Sequence, residues 1–294
     1  MGSSPLSLDV EALRTWLAVL DHGGMTKAAE RLNMTQSAVS WRIKRLEARV
    51  GRPLLIRDRR SLFPSRDGRA LLDDARALVD IHDRASSRLQ NSDLTGTVKL
   101  GSNEEVDPAR MASMLGRFRR THPGASIEFL IDYTENLIRR INRGEIDVAI
   151  IQVVDDYLLS TDTVLWTDQL RWVTSRERAT DDDEVVPLVT FGDLDFYRSL
   201  SEPHLVGANI EYKVAFSASS IAGHRAAIAA GLGVAVLESR HLGGEIVEWP
   251  RGASLPELPI VHQIARTVRG EALEVTKTLT EAIVDELRDP PPDR

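Results

Sequence analysis

The segment 26–60, TKAAERLNMTQSAVSWRIKRLEARVGRPLLIRDRR, limits what this chain can fold into more than any other stretch. It reads as a short helix, a tight turn, a second amphipathic helix and an arginine-dense hairpin. Between positions 25 and 66 stand eleven lysines and arginines (27, 31, 42, 44, 45, 49, 52, 57, 59, 60, 66) against three acids (30, 47, 58), a local charge of +8 in a chain of formal charge −7. A single arginine on a surface is commonly no more than a solvated side chain. Eleven cations gathered on one paired-helix unit are the electrostatic footprint of a nucleic-acid reader.

Charge is divided by position. Residues 1–92 carry 16 Lys/Arg and 11 Asp/Glu, a net of +5, whereas residues 93–294 carry 21 and 33, a net of −12. Nucleic acid is therefore expected to meet only the head. A length of 294 residues suggests two or three domains. No apolar run reaches the roughly 20 residues that cross a bilayer, and the first residues lack a charged stretch followed by an apolar one, so no secretory signal is expected. The absence of cysteine excludes disulfides and thiolate chemistry. These features predict a cytoplasmic protein.

Within the head, Leu13, Trp16, Leu17 and Leu20 recur at helical spacing, and His22-Gly23-Gly24 ends that helix. Thr26 is positioned to cap a short second helix with Ala28, Ala29 and Leu32 facing inward. Asn33 suits a left-handed turn, and Thr35 can cap a third helix from about 36 to 50. Val39, Ile43, Leu46 and Val50 form the buried edge of that helix, leaving Gln36, Ser37, Ser40, Trp41, Lys44 and Arg45 outward. Two helices joined by so short a turn make a helix-turn-helix whose second helix enters the major groove. Residues 52–68 then read as a two-stranded wing anchored by Leu54, Leu55 and Ile56, with Arg57, Arg59 and Arg60 near its tip, suited to a narrow minor groove or to phosphate.

This order of features resembles the N-terminus of the LysR-type transcriptional regulators. The matching residues include Ala28, Ala29, Leu32, Gln36, Ser37, Ala38, Ser40, Ile43, Leu46, Glu47, Gly51, Leu54, Arg57 and Gly68, over about sixty residues without a gap. Gly24, Met25, Leu55 and Ser65 depart from the usual pattern at packing or capping positions. Trp41 departs on the helix itself, where a polar residue is common. It either packs against the wing or contacts a thymine methyl or the sugar backbone. The residues expected to touch DNA are Thr26, Lys27, Thr35, Gln36, Ser37, Ser40, Trp41, Lys44, Arg57, Arg59 and Arg60.

From 67 to about 90, Leu71, Ala75, Leu78, His82, Ala85 and Leu89 step by 4, 3, 4, 3 and 4 residues, the narrow seam of a coiled coil. The resemblance implies a linker helix that dimerises, and a tetramer beyond that. A dimer predicts an inverted-repeat DNA operator, with RNA polymerase a further candidate partner.

Beyond the polar junction 91–96, strand and helix patterns alternate, which predicts a parallel α/β sheet. Strands are expected at 97–101, 126–131, 147–151, 171–174, 186–189, 213–216, 231–237 and 260–265, with helices from 107, at 135–142, at 220–230 and at 271–287. The stretches 143–150 and 226–237 resemble the LysR-type effector domain, which implies two α/β lobes of periplasmic-binding-protein type. The expected organisation is a winged helix-turn-helix over 1–66, a linker helix over 67–91, one lobe from 97–166 and 264–289, and a second over 167–263, with crossings near Thr167 and Gln263.

Ligands of such sheets lie beyond the carboxyl ends of strands, between lobes. Ser102, Asn103, Glu104, Gln152, Phe216 and Ser217 are therefore the expected effector contacts. Glu104, Glu105 and Asp107 crowd one helix start with negative charge, which favours an effector bearing an amine. Two other classes compete with a regulator. A solute-binding receptor would suit the body alone, but not the basic head. An enzyme would need a motif, and there is no Gly-rich phosphate loop, HExxH, GxSxG or cysteine nucleophile. His204, His224, His241 and His262 show no ligand spacing, so neither metal nor cofactor is expected.

Overall fold

The computed structural model describes residues 8–58, 61–90, 94–180, 183–192, 196–268 and 273–288. They form a head within Met1–Asp93 and a body built on Leu94–Arg119 and Pro123–Asp289.

In the head, α1 (Val10–Asp21) starts where Asp9 accepts a hydrogen bond from the Glu11 N–H at 3.1 Å. It buries Leu13 and Trp16 completely. The next helix, α2 (Met25–Arg31), corrects one expectation: its cap residue is Gly24, with no side-chain cap bond, so Thr26 sits exposed in the first turn. Asn33 takes the left-handed conformation with φ 50°. Thr35 Oγ1 accepts from the Ala38 N–H at 3.2 Å, opening α3 (Gln36–Val50), which Gly51 closes at φ 73°. Val39, Ile43 and Leu46 of α3 join Leu13, Trp16, Ala28 and Ala29 in one core.

The wing consists of β1 (Leu55–Asp58) and β2 (Ser61–Pro64), paired antiparallel from Leu55↔Pro64 to Asp58↔Ser61. Glu47 of α3 fixes it, accepting from the backbone N–H groups of Leu54 at 2.7 Å and Leu55 at 3.1 Å. Leu54 is fully buried, but Ile56 is 47% exposed and anchors nothing. Behind the wing, Ser65 Oγ donates to the Pro53 carbonyl at 2.7 Å and accepts from the Gly68 N–H at 2.9 Å. A Cβ on Gly68 would lie 2.3 Å from the Leu54 carbonyl oxygen, which reserves that position for glycine.

The long helix α4 (Arg66–Gln90) divides the expected seam. Leu71 and Ala75 pack with Val79 into the head's own core, so these positions serve the single chain. Past them, Leu78 (37%), Ile81 (52%) and Ala85 remain exposed. His82 is exposed too, and the side chain of Leu89 lies outside the described residues. Arg14 Nη1 to Asp83 Oδ2 (3.0 Å) and Arg76 to Asp21 (3.2 Å) hold α4 along α1.

In the body, β3 (Gly96–Ser102), α5 (Pro108–Thr121), β4 (Ala125–Ile131), α6 (Thr134–Asn142) and β5 (Val148–Val154) follow in order. Asp107 Oδ1 caps α5, accepting from Ala109 N–H at 2.7 Å. Then come β6 (Thr163–Ser175), β7 (Val186–Thr190), α7 (Phe196–Gly207), β8 (Tyr212–Ser217), α8 (Ile221–Ala229), β9 (Ala235–Glu238), β10 (Ile246–Glu248), β11 (Ile260–Thr267) and α9 (Glu274–Leu287). The expected all-parallel arrangement needs correcting. β3 runs parallel to β4 and β5, and β7 to β8, but β11 is antiparallel to β5 and β6, and β9 and β10 are antiparallel to β6. The cause is the chain's path. It leaves one lobe along β6 and returns along β11, and a returning strand beside its outgoing partner must run the other way. Leu165 and Trp166 of β6 belong to the core of the first lobe, and Leu170, Trp172 and Val173 to that of the second.

Candidate DNA-reading surface and interlobe site

At about 100° per residue, Ser37, Trp41, Lys44 and Ala48 project from α3 opposite Val39, Ile43 and Leu46. The burial agrees: Gln36, Ser37, Trp41, Lys44 and Arg45 are exposed and Ser40 is half-buried. Thr35 and Ser37 hydroxyls lie 3.0 Å apart at the helix start. Thr26 and Lys27 of α2 are exposed as well. The side chain of Arg57 and all of Arg59 and Arg60 lie outside the described residues.

The cations of α3 fall into two sets. Arg42 lies 4.0 Å from Glu11, and Arg49 lies 3.7 Å from Asp9, so both face the acidic start of α1. Arg52 pairs with Asp67 at 2.9 Å. Among the described residues, no carboxylate lies within ion-pair distance of Lys44 or Arg45. Part of the local +8 is thus neutralised internally. Trp41 is 58% exposed, with the Arg45 guanidinium 5.1 Å over its ring.

In the body, the carboxyl ends of strands from both lobes converge on a buried polar network. Ser102, at the end of β3, donates to the Asn103 carbonyl at 2.9 Å. Asn103 and Gln263 exchange amide hydrogen bonds of 2.8 and 3.3 Å. Glu104 reaches across to the start of α8, where its Oε2 accepts from the Ile221 N–H at 2.6 Å. Glu105 also crosses, accepting from the Tyr197 hydroxyl at 2.5 Å and meeting His241 Nε2 at 2.8 Å. Gln152 Nε2 donates to Tyr197 Oη at 3.0 Å and to Glu238. Glu238 in turn holds Arg240, whose guanidinium lies 4.3 Å over the Trp166 ring.

Burial sets the protonation of this network. It raises the Glu105 pKa, but the hydrogen bond and charge of His241, the Tyr197 hydroxyl and the Arg240 charge outweigh it and hold Glu105 below the usual carboxylate range. Burial and then the neighbouring Glu105 charge push Glu238 up to about 7, against the pull of Arg240. The same two causes push the Tyr197 phenol well above its ordinary value. Burial lowers His224 to about 4. Its Nε2 faces the Val189 carbonyl at 3.2 Å, which assigns the proton to that nitrogen.

Among the described residues, three buried polar atoms at the interlobe end of the second lobe have no hydrogen-bond partner: Thr190 Oγ1, which ends β7, His224 Nδ1 and Arg240 Nε. Of the expected effector contacts, Ser102, Asn103, Glu104 and Gln152 meet at the network, while Phe216 and Ser217 lie exposed on β8 and outside it. Glu105, Tyr197, His224, Glu238, Arg240 and His241 were missed as site residues. The acidic pair 104–105 was a signal for one of them. Nothing in the sequence joins residues 197 and 241 to it, because three separate segments supply them. At the strand crossing, His262 joins Thr167 (2.9 Å) and Asp155 (2.7 Å) into a brace.

Residues 10–69 match the bacterial regulatory helix-turn-helix protein family, lysR, and residues 91–287 match the LysR substrate binding domain. The chain is 30% identical over 254 residues to the HTH-type transcriptional regulator PecT of Dickeya dadantii (strain 3937), covering 86% of this chain and 80% of PecT. It is 28% identical over 279 residues to the HTH-type transcriptional regulator DgdR of Burkholderia cepacia, covering 94% of each. The crystal structure of full-length BenM shares the fold at a TM-score of 0.50 and 18% identity, over 94% of this chain and 95% of that one. The chain belongs to the LysR family of bacterial transcriptional regulators, with a DNA-binding helix-turn-helix head and an effector-binding body of two α/β lobes.

Proposed function

We propose that this regulator reads an imperfect inverted repeat in duplex DNA as a dimer, in the cytoplasm, and that a small effector entering between the body's lobes adjusts how the two heads are placed. Its action is binding rather than catalysis. The observation that carries the DNA reading is the outward face of α3, where Gln36, Ser37, Trp41 and Lys44 stand exposed opposite the buried edge. Thr26, Lys27, Thr35 and Ser40 flank that face, and Arg57, Arg59 and Arg60 of the wing are assigned to the backbone or minor groove. Dimerisation is assigned to the exposed stripe Leu78, Ile81 and Ala85 of α4, with a tetramer forming through further contacts and RNA polymerase as the partner downstream.

For the effector we propose Ser102, Asn103, Glu104 and Gln152 from the first lobe, with Thr190 and His224 offering unsatisfied groups from the second and Phe216 and Ser217 at the rim. Glu104 and Glu105 are already engaged across the lobes, which removes the reason to favour an amine. Calorimetry with matched amino compounds and dicarboxylates decides between them.

The DNA reading is tested by incubating the full-length protein with a randomised duplex pool at modest salt and sequencing what is retained. Ser37→Ala and Gln36→Ala are expected to relax the enriched sequence. Arg59→Ala is expected to weaken all duplexes alike and make the salt slope shallower by about one unit per lost phosphate contact. No enrichment of any sequence by the wild-type protein would refute the reading.

A further inference from the structure

We infer that Trp41 and Arg45 act as a single reading element, a guanidinium laid flat on an indole, that recognises a guanine and a thymine within one or two base pairs of each other. This rests on the DNA reading proposed above and assigns part of its specificity.

Position comes first. Trp41 stands near the middle of the outward face of α3, and Arg45 follows one turn later on the same side. An indole left 58% exposed there is not a member of the head's core cluster. Charge comes second. Arg42 and Arg49, on the flank of α3, are turned to Glu11 and Asp9, while Arg45 has no carboxylate partner among the described residues. Its contact is the Trp41 ring at 5.1 Å. Surroundings come third. A groove of about 230 Å³ lies on the inner side of the pair, with Asp9 and Glu11 among its lining residues. Arg42 and Arg49 line it too and answer those two acids, so the groove holds no carboxylate left for Arg45, and the open direction for its guanidinium is outward.

The chemistry follows from these constraints. Arginine donates two parallel hydrogen bonds to guanine O6 and N7, and an apolar surface contacts the thymine C5-methyl. Stacking on the ring limits the guanidinium's freedom before DNA arrives, so less order is lost when the two bonds form. Lysine at this position would keep the charge and could still reach guanine, but it has no planar fork to stack on the indole.

The test uses the full-length protein and a synthetic duplex pool with a randomised core. In the enriched duplex, each guanine is replaced in turn by 7-deazaguanine, which lacks N7, and each thymine by uracil, which lacks the methyl. The wild-type protein is expected to lose about 10-fold or more in affinity at one guanine and a smaller factor at a nearby thymine. Arg45→Lys should weaken the guanine effect while leaving the salt slope unchanged, and Arg45→Ala should abolish the guanine effect. Trp41→Ala should abolish the thymine effect and weaken the guanine effect, and Trp41→Phe should restore most of the latter. Thermal melts confirm that each variant is folded; both side chains are exposed, so the melting temperature should hold.

The inference is overturned if Trp41→Ala keeps the full guanine effect, or if Arg45→Ala and Trp41→Ala enrich the same sequence as wild type. Failure of the wild-type protein to enrich any sequence overturns the DNA reading itself, and this assignment with it.

Discussion

Glu105 and His241 meet at 2.8 Å between the two lobes of the body, and the Tyr197 hydroxyl takes the other oxygen of the same carboxylate at 2.5 Å. With Glu104 on the Ile221 N–H and Gln152 on Tyr197, the first lobe is stitched to the second by its own side chains. A ligand shifts such an equilibrium only by its differential affinity for the two states. An effector here must therefore favour an arrangement in which these bonds are broken, or one that keeps them.

Glu105→Ala is expected to loosen that stitching. It leaves His241 without its carboxylate and Tyr197 without its acceptor, at a cost on the order of 1–3 kcal/mol, which is several degrees of melting temperature for a domain of this size. Hydrogen exchange should quicken in α7 and around residues 239–241, with the head unaffected. Wild-type exchange rates in both segments would show that the bond closes nothing.

Glu238 makes a pH prediction. Its folded value of about 7 stands above the usual 4.5, so between those limits the folded state holds more protons than the unfolded one. Stability from this group is then fully present below about 4.5 and is lost as pH rises through 7. His224 acts oppositely. Lowered to about 4, it lets stability rise with pH up to its ordinary 6.5. Glu238→Gln removes only the first effect and leaves Arg240 its contact with Asp168 at 3.4 Å. The variant's stability should therefore gain on wild type as pH rises from 5 to 7.5, by roughly 1–3 kcal/mol in total, read as a rising melting temperature. A constant difference across that range would contradict the assignment.

Local features of the head were legible because local rules set them. Helical spacing marked Leu13, Trp16, Val39 and Ile43, and cap chemistry marked Asn33 and Thr35. Thr26 was misassigned as a cap because the backbone turn at Gly24 settles the helix start without a side chain. Ile56 was misread as an anchor since in a strand its neighbour, not it, faces inward. The heptad spacing of α4 cannot say which partner covers it: Leu71 and Ala75 belong to the chain's own core. In the body, α7 was not foreseen, having Pro203 within it and a polar run around it. The interlobe network was illegible for a deeper reason: strand order and crossing bring residues 105, 152, 197 and 241 together, and no sequence period encodes that.

Glu47 is expected to matter for DNA binding without touching DNA. Its carboxylate accepts two backbone N–H groups at the root of the wing. Glu47→Ala leaves both unsatisfied, costing about 1–3 kcal/mol of head stability, and lets the wing shift relative to α3. Duplexes that differ in sequence should lose affinity to a similar degree, since the wing is assigned to backbone contact. Glu47→Gln retains an acceptor oxygen and should recover most of the loss. Selective loss on one sequence would place Glu47 among the reading residues instead.

Ile81→Glu tests the dimer at its most exposed apolar side chain. Leu78, Ile81 and Ala85, spaced by three and four residues, face away from the head's core, whose last residue on α4 is Val79. A stripe with that spacing is half of a helix-pairing seam. Because Ile81 is 52% exposed in the single chain, a glutamate there should leave the monomer's fold intact. Across a symmetric seam it would place two carboxylates near each other in an apolar contact, so sedimentation should show the mass falling to that of one chain. The second head would then no longer be tethered beside the first, and affinity for an inverted repeat should drop by about 100-fold or more, while affinity for an isolated half-site barely changes. An Ile81→Glu protein that sediments as wild type and binds the repeat as tightly would move the interface elsewhere on the chain.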